Sequence, residues 1–320
     1  MPITALDIRA IVEKEDDFGH ELRVGRILRA YRDGKLLHGG TYTDPITKKP
    51  RQYDFRWYYP ANERAINLAV ECKNIKSESP VVISGRKRKR PESFHNLVEA
   101  RTGGKFTTPS GPVYIDFPSY GVIRTVRNDN SIYGPEAFVG KSMVKIQATQ
   151  TGKPAKIRYS GDSDTEIHQR WSQALASSDD LVVSACKSAN DKNPHVFTLV
   201  LPVVVFPDNT LWKIEYDDKG QPTGNPTEAD ECEFYVDREI VVPNPFKSFP
   251  QRRFVISHIH FFTMRGFALF LRRITSDDDW CKSAFDTQVL AAARAERLDD
   301  NQIGREGASG DKRGANAVVE

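Results

Sequence analysis

The sequence predicts an α/β fold: a central mixed sheet flanked by helices, with a strand-rich second half that extends the sheet or forms an appended α+β region. Three observations predict it. Residues 4–31 carry Ile8, Ile11, Val12, Leu22, Val24, Ile27, Leu28 and Tyr31 at three- and four-residue spacing, the period of an amphipathic helix, with Gly19 as an interruption. Residues 51–59 and 66–73 alternate apolar and polar side chains, the period of a strand with one buried face. Four further apolar stretches, 196–206, 211–216, 232–241 and 253–262, make the second half strand-rich.

The elements follow in order. Asp33-Gly34 closes the helical segment with a turn, and Leu36 to Thr43 reads as extended. Asp44-Pro45-Ile46-Thr47 is a turn, with Asp at the first corner and Pro at the second. In the next strand Tyr53, Phe55, Trp57 and Tyr59 share one face, against Gln52, Asp54, Arg56 and Tyr58. Residues 60–64 suit a hairpin loop. In the following strand Ile66, Leu68, Val70 and Cys72 oppose Asn67, Ala69, Glu71 and Lys73. A short strand at 81–84, a basic loop at 86–90 and a helix near 93–101 are expected next. Residues 103–162 read as loops and short strands, and Ser163 to Glu166 has the pattern of a capping box opening a helix. Residues 181–186 fit either a continuation of that helix or a strand. Helices at 264–273 and 278–297 complete the ordered chain. The boundaries expected are a core over 1–102, an extension over 103–298 and a disordered tail over 299–320.

Composition narrows the class. Hydrophobic residues make up 39% of 320, enough for a core without disulfides or metals to staple it. The four cysteines, at 72, 186, 232 and 281, have no CxxC spacing, which argues against a zinc finger or a disulfide framework and for a reducing cytoplasm. The longest apolar run, Leu199 to Phe206, is far short of the roughly 20 residues that cross a bilayer. The acidic first 17 residues carry the wrong charge for a secretion signal, so a cytoplasmic protein without a membrane segment is expected. A net charge of +3 does not by itself mark a nucleic-acid binder.

The chemistry concentrates in the two alternating strands. Glu71 and Lys73 are in phase on one, and a hairpin brings Asp54 of the other to the same end of the sheet. Two carboxylates there make a hard oxygen site suited to Mg2+ or Mn2+, with the Cys72 carbonyl as a further ligand. A lysine beside them would activate a metal-bound water or hold the hydroxide that attacks phosphorus.

Tyr53-Asp54-Phe55 followed by Leu68-Ala-Val-Glu71-Cys-Lys73-Asn74 resembles the core of the PD-(D/E)xK nuclease superfamily, with its restriction-endonuclease-like fold. Phe18-Gly-His-Glu21-Leu-Arg-Val24 resembles the first helix of type IV restriction enzymes and Holliday-junction resolvases. The turn from Asp44 to Asp54 resembles one that precedes the motif aspartate in bacterial members. The match spans roughly residues 15–85, and Tyr53 stands where the name-giving proline would be. The resemblance implies a divalent-metal-dependent deoxyribonuclease: Asp54, Glu71 and Lys73 catalytic; Asp54, Glu71, Cys72 and Glu21 on Mg2+ or Mn2+; DNA as partner. It also implies a place in restriction or antiphage defence, with further subunits or a homo-oligomer compatible with that role. An RNase of the same fold, or a non-cutting nucleic-acid-binding subunit, is the alternative.

Arg86-Lys87-Arg88-Lys89-Arg90 is expected to neutralise a nucleic-acid backbone, against the plainer reading of a solvated loop. Other motifs are set aside. Gly134 to Ser142 misses the phosphate-loop spacing by one residue, and no GxSxG pattern occurs. His258 and His260 share a strand face without an evident third ligand and read as structural.

Overall fold

A computed structural model describes residues 3–15, 17–102, 104–108, 111–115, 119–126, 132–151, 156–162, 165–193, 195–242, 252–276 and 278–285. The expected helical start is two helices, α1 (Ala5–Glu15) and α2 (Phe18–Arg29), with the break before Phe18 and Gly19 inside the second. Then come β1 (Lys35–His38), β2 (Thr41–Thr43), β3 (Pro50–Gln52), β4 (Phe55–Ala61), β5 (Arg64–Cys72) and β6 (Val81–Lys87). Next are β7 (Phe94–Arg101), β8 (Gly104–Thr108), β9 (Gly111–Ile115), β10 (Ser119–Val126), β11 (Phe138–Thr151) and β12 (Lys156–Asp162). The helix α3 (Thr165–Ala185) precedes β13 (His195–Phe206), β14 (Leu211–Glu215), β15 (Thr227–Glu228), β16 (Glu231–Val242) and β17 (Arg252–Thr263). The chain continues into α4 (Met264–Ser276) and α5 (Asp278–Ala284).

Among the described residues thirteen strands form one large mixed sheet in the order β1-β4-β5-β13-β17-β16-β11-β6-β14-β15, with β7, β10 and β12 paired to its side, while β2-β3 and β8-β9 are separate two-stranded sheets. Strands from before and after residue 102 interleave in it. At its centre β13 runs parallel to both β5 and β17. Parallel strands need both faces covered, and β13 meets this with an unbroken apolar run from Leu199 to Phe206. Its Val200, Val204 and Phe206 pack toward α3, beside Ala174, Leu175 and Val182. Its Leu199, Leu201, Val203 and Val205 pack toward α2 and α4, beside Val24, Leu28, Phe267 and Phe270.

Three expectations change. Both faces of β5 are buried, so the polar side of its alternation does not face water: Ala69 packs under α3 and Glu71 is fully enclosed. Residues 94–101 are a strand, not a helix, because Phe94 to Ala100 are buried between β10 and β13 and their pattern has no period of its own. Residues 103–162 include a strand of 14 residues, β11. The open question at 181–186 resolves as helix through Ala185. Ser163 and Asp164 of the expected capping box, the second half of the last helix and the tail at 299–320 lie outside the described residues. No helix among the described residues is long and apolar enough to cross a membrane.

The start of α4 fixes its position tightly. Thr263 Oγ1 accepts the Gly266 N–H (3.1 Å) and donates to Asp230 Oδ1 (2.7 Å), so one hydroxyl caps the helix and ties it to the loop before β16. A Cβ on Gly266 would lie 1.9 Å from the Asp230 carbonyl oxygen. Backbone cannot yield as a side-chain tip can. Gly266→Ala is therefore expected to lower unfolding stability by at least about 1–3 kcal/mol, the usual cost of overpacking, read from the urea midpoint.

Candidate active site

The β4–β5 hairpin turns through Asn62 and Glu63, with Asn62 in the left-handed region (φ 58°) that such two-residue turns demand. The hairpin fixes the register. Phe55 pairs with Val70, and one further step sets Asp54 opposite Glu71. Asp54 Oδ2 accepts the Cys72 N–H at 2.7 Å, so its carboxylate is held against the end of β5. The Lys73 N–H continues the ladder to the Val205 carbonyl (3.0 Å), and its ammonium lies 3.4 Å from Asp17 Oδ2. Asp17 also accepts the Asn74 N–H at 3.0 Å. Asp54, Glu71, Cys72 and Lys73 thus gather where β5 and β13 end, beside the start of α2.

Neighbouring elements frame this end. The His20 Nε2–H donates to the Val205 carbonyl (2.9 Å) and pins α2 to β13. Arg56, in phase with Asp54, donates to Ser177 Oγ (3.2 Å) and Asp180 (2.7 Å) on α3 and lies over the Tyr53 ring. Tyr42 on β2 stands near Glu71. Burial raises its hydroxyl pKa well above the ordinary value, and the Glu71 and Asp44 charges raise it further. Asp44 itself is a turn residue, accepting from the Ile46 and Thr47 N–H groups and from Arg51.

Glu21 stands slightly apart. Its carboxylate pairs with His38, whose ring stacks on Phe55, the residue after Asp54. With Asp54 and Glu71 it does not form a group whose donor oxygens all lie within 4.8 Å; among the described residues that spacing is met by Glu231, Glu233 and His260.

The basic run needs correcting. Arg86 and Lys87 end β6, and Arg90 opens a short 3-10 turn, so this is not a free loop. Arg88 is buried, with its guanidinium paired to Glu233 and donating to the Gly134 carbonyl (2.7 Å) and His258 Nε2 (3.2 Å). Arg86 pairs with Glu92 (2.7 Å), Lys87 with Glu136 (3.6 Å) and Lys89 with Asp218 (3.9 Å). Arg88 follows the end of β6, where backbone bonds to Glu136 and Ala137 hold it against the Gly134 turn and its guanidinium turns in to Glu233. Topology also separates the run from Asp54. Five strand steps lie between β5 and β6, about 24 Å at 4.8 Å each.

The inward face of β16 and β17 is the group that sequence reasoning missed. Glu233 pairs with His260 across the ladder, and Glu231 receives Arg273 at 3.0 and 3.2 Å. Burial pushes the Glu233 carboxyl up to about 7 although Arg88 opposes it. Burial also pushes the His260 imidazole down to about 3, helped by Arg273 and Arg88. The signal was present as Glu231-Cys-Glu233 and His258-Ile-His260, each in phase. Pairing the two segments required the fold.

Removing Arg88 would strand Glu233. Arg88→Ala is expected to cost roughly 3–5 kcal/mol of stability, as when one partner of a buried ion pair is removed, while exposed Arg90→Ala should shift it by under about 0.5 kcal/mol. Urea denaturation of the two variants side by side checks this. No protein-family model, no curated protein and no solved structure matches the chain, so the chemistry of the site is argued from its own geometry.

Proposed function

We propose that the protein is a divalent-metal-dependent nuclease that hydrolyses DNA phosphodiesters, with a PD-(D/E)xK-type site at the end of β4 and β5. The observation that supports this reading is the Asp54 carboxylate accepting the Cys72 N–H, one step beyond the Phe55–Val70 pair and beside Glu71, with Lys73 just past the end of β5. Two carboxylates and the Cys72 carbonyl are all oxygen donors, a set that fits Mg2+ or Mn2+ better than a softer ion. Asp54, Glu71 and the Cys72 carbonyl would hold the metal, which when bound stabilises negative charge on the phosphate. The Lys73 ammonium would orient the attacking water and offset the charge that develops on phosphorus oxygens. Asp17 restrains that ammonium, and Glu21 stands by through His38.

The cations that frame this end replace the 86–90 run as the phosphate-facing surface in this reading. Arg23, Arg26 and Arg29 lie exposed at three-residue spacing on α2, and Lys48 and Lys49 lie exposed between β2 and β3. Cations on elements that border the site can touch the strand being cut. Those five strands away cannot serve the same phosphate.

The reading is tested by incubating plasmid, single-stranded DNA and RNA with the protein in Mg2+, Mn2+ or EDTA. Cleavage of DNA that EDTA abolishes is expected. Lys73→Ala should slow it by about 10²–10³-fold, the usual loss for one transition-state electrostatic group, with the circular dichroism spectrum unchanged. A Lys73→Ala protein cutting at the wild-type rate would refute the assigned role. For Arg23→Ser with Arg26→Ser, the salt slope of duplex binding in EDTA should fall by about 0.9 for each phosphate that is no longer neutralised.

A further inference from the structure

Glu231 and Glu233 leave β16 on one face, and His260 comes to meet them from β17. One oxygen of each carboxylate and one imidazole nitrogen lie within 4.8 Å of one another. The imidazole is enclosed, with 2% of His260 exposed. Its Nε2 lies 2.8 Å from the Tyr133 hydroxyl, whereas its Nδ1 is buried with no hydrogen-bond partner. A buried ring nitrogen left in that state is costly, and a ligand on Nδ1 would remove the cost.

The surroundings have the form of a coordination shell already held in place. An oxygen atom on the far imidazole nitrogen, here from Tyr133, is what orients a metal-binding histidine. Arg88 grips Glu233 through Oε2, leaving Oε1 for a ligand, and Arg273 grips Glu231. Arg88 is in turn fixed by the Gly134 carbonyl and His258. Glu231 and Glu233 keep side-chain exposures of 33% and 18%, so an ion has an entry path from their rim.

We propose that Glu231, Glu233 and His260 bind a divalent transition-metal ion of the Zn2+ class, at a site distinct from the Asp54–Glu71 end. The two places lie on opposite faces of the sheet, Glu71 in phase with Ala69 under α3 and His260 stacked on Phe262 and Phe270. The donor set decides the metal class, because the two guanidinium groups repel every divalent cation alike. A nitrogen donor favours Zn2+ over Mg2+, and three protein ligands leave a fourth position open.

The test is calorimetric titration of the chelator-stripped, full-length protein with Zn2+ in the presence of millimolar Mg2+. One Zn2+ event that Mg2+ does not displace is expected. Glu231→Gln, a rim substitution that keeps the shape and a hydrogen bond to Arg273, should weaken it at least about tenfold, and His260→Asn should abolish it. Asp54→Asn should leave it intact. In the Co2+-loaded protein, one paramagnetically shifted exchangeable imidazole proton should appear in the NMR spectrum and vanish in His260→Asn. Should His260→Asn fail to fold, Glu231→Gln decides. Absence of Zn2+ binding, wild-type affinity in Glu231→Gln, or loss of binding in Asp54→Asn alone would each overturn the site.

Discussion

Parallel pairing of β13 with β5 on one side and β17 on the other is the constraint from which the rest of the molecule follows. Three parallel strands place their carboxyl ends at one edge and leave both faces apolar. The faces must be covered, so α3 takes one while α2 and α4 take the other. At the shared edge the backbone runs out of strand partners, and helix starts supply them. His20 on α2 satisfies Val205, Thr263 caps α4, and Asp208 accepts the Arg265 N–H at 2.8 Å. Asp54, Glu71 and Lys73 lie at that edge because the hairpin register with β5 puts them there. Crevices beyond the carboxyl ends of parallel strands are where open α/β sheets bind their ligands.

Charge inside the fold has a different logic from charge at its surface. Arg88 and Glu233 are a buried pair, and such pairs add little net stability over apolar residues of the same size, because both partners lose their hydration. What this pair adds is direction. Arg88 donates to a carbonyl, a carboxylate and an imidazole at once, which ties β6, the Gly134 turn, β16 and β17 to one another. Because Arg88 occupies His258 Nε2 as a donor, Nδ1 must carry the proton toward Ser257 Oγ (2.9 Å), and Ser257 donates to the Phe94 carbonyl (2.7 Å). The chain of donors and acceptors closes without a charged histidine.

The legible parts of the sequence were those whose period is local. Phe55 and Trp57 alternate into the core as their spacing indicates, and the strands at 196–206 and 253–262 appear with nearly the expected limits. Residues 94–101 misled because a strand covered on both faces shows no alternation, and Leu97, Glu99 and Ala100 suit a helix equally well. The position of the basic run was not legible for a topological reason. Residue 86 is near residue 73 in sequence, yet β6 joins the sheet beyond β11, so proximity in sequence gave no proximity in space. His258 and His260 were visible as an in-phase pair. Their third partner was not, because the register between β16 and β17 includes a bulge between Tyr235 and Arg238 that no pattern in either segment announces.

That bulge bears on why the carboxylates meet the histidine at all. Along β17, Phe254 and Ile256 enter the α3-side core, and so do Ile259 and Phe261, an odd step that breaks strict alternation between 256 and 259. The extra residue in β16, with Asp237 at φ 49°, absorbs the same step on the partner strand. With uninterrupted alternation His258 and His260 would share the face of Ile256 and point toward α3. The phase change instead turns them to the α4 side, opposite Tyr235 and Glu233. A one-residue irregularity therefore decides which face of the sheet carries the polar group. On that face Glu233 meets Arg88 and Glu231 meets Arg273, so the same irregularity that turns His260 to the α4 side also sets where the two ion pairs form.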